Sequence, residues 1–243
     1  MKLQMTNDQI TDDKWKSLYK AGGAGALTVG LFFIIEMTVY ISSSAPSLAD
    51  AAGWFALFQN NRLVGLVDFG ILELYGLVLF IPIYLSLYTV LRRASESYMA
   101  IAAILALVGV AANFATSKLF SLLTLGDLYA AATTAALKSQ FLAAGQAALA
   151  VSALGGISGS VEGGIPLAVA GLIVSTIMLR SNLLGRAAGY VGILANGMGL
   201  VMYIFAAAGP KLAGSPFFLA FFLLSVIWFV MVGLKLLRSG RPA

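Results

Sequence analysis

Three carboxylates, Glu36, Asp68 and Glu73, stand inside long apolar runs of this 243-residue chain. An acidic side chain at the centre of a bilayer costs roughly 2.5–3.5 kcal/mol on insertion scales, so a function is expected of each. Counting along the runs puts Glu36 and Asp68 about five residues below one end of their helices, roughly 8 Å down, and Glu73 about ten residues in, the deepest of the three. Asp68 and Glu73 are five positions apart, about 140° around one helix, and cannot share a narrow face. Two roles compete. In the structural one, the acids pair with Lys118, Arg62 or nearby hydroxyls and hold helices together; in the chemical one, they form a cation, proton or ligand-headgroup site among the first three helices. Asn113 and Lys118 complete this candidate polar cluster. Asn113 and Asn196 are expected to form interhelical hydrogen bonds worth about 1 kcal/mol each.

The chain contains no Cys and no His. Thiol nucleophiles, disulfides, Fe–S clusters, His-ligated haem and the usual zinc sites are therefore excluded, and no cofactor or metal is expected. The commonest general base is missing too. An enzyme acting on lipid would have to use Asp68 and Glu73, which point apart, so the reading leans away from catalysis.

Such residues need elements to hold them, and composition says which. Hydrophobic residues make up 60% of the chain and charged residues 10%, with a mean hydropathy of +0.94. A soluble domain carries about 25% charged residues, so lipid must face most of this surface. Six runs are long enough to cross about 30 Å at 1.5 Å per residue: 21–41, 63–91, 99–117, 161–179, 187–208 and 216–237. The fold class is all-α, a polytopic transmembrane bundle. Residues 139–154, rich in Ala and carrying Gln140 and Gln146, are ambiguous. With six spans, 11 of the 15 Lys and Arg residues lie on the side of the N-terminus, leaving Arg62, Lys118, Lys138 and Lys211 opposite. A seventh span at 139–154 would divide them 7 to 8. The positive-inside rule favours six, with both termini cytoplasmic in a cell membrane and 124–158 forming one amphipathic or re-entrant helix on the outer face; seven spans is the alternative. Because the basic residues sit at the ends of apolar runs, the net charge of +5 is read as orientation, not as nucleic-acid binding.

Residues 1–20 read as an interfacial segment that anchors Trp15 and Tyr19 at the headgroups, with a helix start near Thr11 and Asp12. The loop 42–61, with Pro46, Asp50, Trp54 and Phe58, belongs on the outer surface, and 238–243 form a cytoplasmic tail. Single connections of about 20 and 40 residues are too short for a second core, so 21–237 is one membrane domain. Gly22, Ala26 and Gly30 in the first span, and Gly185, Gly189, Gly192, Asn196 and Gly199 in the fifth, line up as helix-packing faces. Packing within the chain is the first use of such faces, an oligomer interface the second. Pro82 interrupts the second span, and Phe217, Phe218, Phe221, Phe222, Trp228 and Phe229 crowd the last, where lipid contact is expected.

Residues 91–145 (LRRASESYMAIAAILALVGVAANFATSKLFSLLTLGDLYAAATTAALKSQFLAAG) and the run from Val174 (VSTIMLRSNLLGRAAGYVGILANGMGLVMYI) resemble a bacterial family of small polytopic membrane proteins, a domain of unknown function. The likeness rests on the YAAATT segment at 129–134, LAAG at 142–145, and MLRS at 178–181 leading to Gly185 and Arg186. It covers about two thirds of the chain, and the first span fits poorly. It implies about six helices with an outer segment before the fourth, and a cytoplasmic turn at Arg180 to Arg186. It assigns no catalytic residue.

Two functions follow as expectations. The first is a non-enzymatic membrane protein that binds lipid, a protein partner or a second copy of itself, as an accessory subunit of a larger assembly. The alternative is a small proton- or cation-coupled transporter or channel that uses Glu36, Asp68 and Glu73, and it requires an open path reaching Glu73. No inverted repeat supports it.

Overall fold

The computed structural model describes residues 7–43, 45–47, 49–152, 160–181, 183–208 and 216–239, with backbone alone for 7–13, 160, 207 and 208. Lys2, Lys211, Arg241 and the glycines of 155–159 lie outside these residues. The described chain is helical and without strands. In order, the helices are α1 (Asn7–Ser42), α2 (Ala51–Asn60), α3 (Arg62–Asp68), α4 (Ile71–Leu91), α5 (Glu96–Thr116), α6 (Leu119–Ala131), α7 (Ala135–Ala150), a π-helical turn (Ser160–Gly164), α8 (Ile165–Ser181), α9 (Arg186–Ala208) and α10 (Pro216–Ser239).

Six helical stretches are long and apolar enough to cross a membrane: Lys14–Ser42, Ile71–Leu91, Glu96–Ala131, Val161–Ser181, Arg186–Ala206 and Pro216–Ser239. This is an integral membrane protein built as an all-α bundle. The 16-residue α7, which contains most of the ambiguous run, is not among the six. At about 24 Å it is too short for the hydrocarbon core.

The spanning helices close into a ring. α1 packs on α4, α4 on α5, α5 on α8, α8 on α9, α9 on α10, and α10 returns to α1, while α4 also touches α8 across the middle. Glycine makes the closest of these approaches possible. A Cβ on Gly22 would overlap Ser86 and the Pro82 carbonyl of α4, and one on Gly23 would press on the Gly233 carbonyl of α10. Gly189 fits the same way against Leu179 of α8, and Gly30 rests on Val230. Backbones this close gain dispersion that water cannot drive inside lipid. The faces read as packing stripes are thus turned onto helices of the same chain. Consecutive spans alternate in direction, which gathers Lys14, Lys16, Lys20, Arg92, Arg93, Arg180, Arg186, Lys235 and Arg238 at one end and leaves Arg62, Lys118 and Lys138 at the other.

Three expectations about elements change. The interfacial segment is no separate helix, because α1 runs unbroken from Asn7 through the first span. The second run divides: Gly70 takes a left-handed conformation (φ 87°), ending α3 at Asp68 and starting α4 at Ile71. Phe69, 4% exposed at this corner, is held edge-on to Trp54 with centroids 4.9 Å apart. The stretch expected as one outer helix is two, α6 and α7, folded together over α2. Within α2, capped by the Asp50 carboxylate accepting from the Gly53 N–H at 2.8 Å, Trp54, Phe55 and Phe58 are buried rather than facing a headgroup layer. Leu119, Leu122 and Leu149 close on them, making a second apolar cluster that sits on the α4–α5 side of this end of the ring.

Candidate functional site

Inside the ring, α1, α4, α8, α9 and α10 surround a cavity of about 80 Å³. Each helix presents a stripe at helical spacing. From α4 come Glu73, Gly76, Leu77, Phe80 and Tyr84; from α1, Val29, Phe32 and Phe33; from α9, Ala195, Asn196, Gly199 and Tyr203; from α10, Phe221, Ser225, Trp228 and Phe229; and from α8, Leu167 and Ala168. Glu73 is exposed, whereas Tyr84 and Trp228 are each 2% exposed. The cavity therefore runs from an open end at Glu73 to a closed floor in mid-bundle.

Glu73 is not the deepest acid of a long helix, because Gly70 starts the span only three residues before it. It occupies the first turn of α4, where backbone N–H groups have no partner within the helix. Gly70 supplies no side-chain cap there; instead the Glu36 carboxylate of α1 accepts the Glu73 N–H at 2.6 Å. A negative charge at this helix end also opposes the positive end of its dipole. The structure thus brings two carboxyl-bearing residues to one level of adjacent helices and spends one of them on the backbone of the other.

The remaining members of the expected polar cluster are elsewhere. Asp68 ends α3, outside the span, and both its oxygens are buried without a hydrogen-bond partner among the described residues. Arg62 pairs with Asp127 of α6 at 3.0 Å, not with Glu36, Asp68 or Glu73, and Gln59 donates to the same carboxylate at 2.9 Å. The Lys118 ammonium donates to the Ala115 carbonyl at 3.4 Å. Asn113 and Asn196 each donate to a carbonyl of their own helix, Gly109 at 2.9 Å and Gly192 at 2.8 Å, and no bond from either amide to another helix is found among the described residues. Both side chains instead press against glycines of the neighbouring segment, Gly163 and Gly171.

Comparison with family models, with curated proteins and with solved structures finds no match.

Polar groups that sequence spacing did not single out meet Glu73 in the cavity. Tyr203 stands over Gly164, whose missing Cβ leaves room for the ring. Ser225 donates to the Phe221 carbonyl at 2.8 Å. The Trp228 Nε1–H at the floor, and the Ser175 hydroxyl that lies with it beside Gly192, are buried without partners among the described residues. The aromatic face of α10 is turned inward as well: Phe222 meets Phe33 of α1 at 5.1 Å, and Phe229 meets Phe33 at 5.7 Å and Phe80 of α4 at 5.3 Å. The expectation of lipid contact fails for these rings, because α1 and α4 supply complementary aromatic partners. No three acidic side chains converge among the described residues. The arrangement offers one accessible carboxylate, a phenol, an amide and a hydroxyl above an aromatic pocket: groups for binding and proton exchange.

Proposed function

We propose that the protein is a small membrane carrier that uses Glu73 to move protons across the membrane, with a cationic cargo held in the cavity competing for the same carboxylate. The observation that supports this reading is the open cavity reaching Glu73, with no Lys or Arg among the described residues that line it. An ionisable residue facing a cavity between membrane helices marks a pathway. Less supports the accessory-subunit reading, since the small-residue faces and the α10 rings that suggested a partner are occupied inside the bundle. By the positive-inside rule, the end carrying nine of the described basic residues faces the cytoplasm, placing the α2–α6–α7 cap outside and the cavity open to that side. The family resemblance stands beside this reading and assigns no role to any residue.

Proteoliposomes enclosing a pH-sensitive dye, with potassium and valinomycin balancing charge, provide the test. After external acidification, vesicles with the wild-type chain should acidify faster than empty ones. Glu73→Gln should fall to the empty-vesicle rate with its melting temperature little changed. A wild-type rate equal to that of empty vesicles, or an unaffected Glu73→Gln, rules the carrier out.

A further inference from the structure

Resting on the carrier reading, the cavity walls narrow the cargo. Its carboxylate end attracts a positive charge, and no Lys or Arg is among the described residues that line the cavity to supply one. Below it the surface is aromatic. Phe33, Phe80 and Phe229 pack edge to face, and the Trp228 ring meets Phe229 at 5.1 Å. Ring faces carry negative charge density and attract cations, most strongly when water is excluded, and they also accept alkyl groups.

A bare metal ion is poorly served here. Hard cations such as Ca²⁺ and Mg²⁺ want six or more oxygen ligands, whereas the polar side chains in this wall are few and separated by rings. A neutral apolar molecule gains nothing from Glu73, and an anion is repelled by it. A cation with an apolar coat satisfies both ends of the site. Size agrees: about 80 Å³, at roughly 10–15 Å³ per water-sized group, admits roughly five to eight of them. We infer that the cavity binds a small organic monocation, an alkylamine or quaternary ammonium of that size, with its charge beside Glu73 and its alkyl groups against the rings. A proton and this cation would then compete for one carboxylate, which is the coupling an exchanger needs.

Tetramethylammonium and the uncharged tert-butanol, similar in size, separate charge recognition from simple filling. Calorimetric titration of the full chain in detergent should show tetramethylammonium binding about tenfold or more tighter than tert-butanol or sodium. Glu73→Gln should remove that advantage and leave tert-butanol unchanged. Phe221→Leu, which keeps an apolar wall but deletes a ring, should weaken tetramethylammonium alone, and it guards against misfolding of the first variant. Equal binding of the two probes, or full tetramethylammonium affinity in Glu73→Gln, overturns the inference. If proton uptake persists in vesicles while tetramethylammonium fails to bind, the cargo class is wrong and the carrier stands. If uptake is also missing from the wild type, both fall.

Discussion

Two glycines of similar sequence context have opposite prospects. A Cβ at Gly171 would land on the Asn196 amide beside the cavity, whereas one at Gly197, a single residue beyond that asparagine, meets nothing within 4 Å. Gly171→Ala should therefore destabilise the protein by about 1–3 kcal/mol through overpacking. Gly197→Ala should be neutral or stabilising by up to about 1 kcal/mol, since alanine favours the helix. Thermal unfolding in detergent checks both, and equal shifts would show that the α8–α9 approach is looser than described. Sequence alone marked Glu36 and Glu73 correctly as acids among apolar residues, because a charge in such a run is visible without a fold. It could not reveal that Glu36 caps α4, since the bond joins residues 37 positions apart and depends on Gly70 starting a helix between them. Tyr203 and Ser225 were illegible for another reason: Tyr and Ser are ordinary in a membrane helix, and only the closed ring turns them toward Glu73.

At the level of elements, the left-handed turn at Gly70 decides where a span begins. Any side chain there is strained by roughly 1–2 kcal/mol. Gly70→Ala is expected to lower the melting temperature by that measure and to weaken proton uptake as well, because the same turn sets Glu73 at the cavity mouth. A loss of stability with unaltered uptake would separate the turn from the site. Hydropathy read straight through this corner because Leu63, Val64, Leu66, Val67 and Phe69 are as apolar as the span that follows. Leu66 and Phe69 pack on the α2 cap whereas Leu63 is exposed, and composition does not distinguish those two surroundings. The same ambiguity hid the start of α6, whose residues continue the hydropathy of α5 without a gap. Six spans, in contrast, were legible to within a few residues at most ends, since length and apolarity are what a bilayer demands.

For the whole molecule, a chain without cysteine is its own blank for labelling. Ser139→Cys in α7 and Ser97→Cys in α5, both exposed and at opposite ends of the ring, should react oppositely with a membrane-impermeant maleimide on intact cells: Ser139→Cys readily, Ser97→Cys only after permeabilisation. The reverse pattern would invert the orientation and open the cavity to the cytoplasm. The ring has one more consequence, in the order of synthesis. Of the described helices α1 leaves the ribosome first, yet one of its two main neighbours is α10, the last of them to be made. Until α10 arrives, Gly23 and Gly30 have no backbone to rest against, and Phe33 lacks both Phe222 and Phe229. Insertion can proceed span by span, but the seam closes only at the end, so a stalled or shortened product would carry an open groove down its side for membrane chaperones and proteases to find.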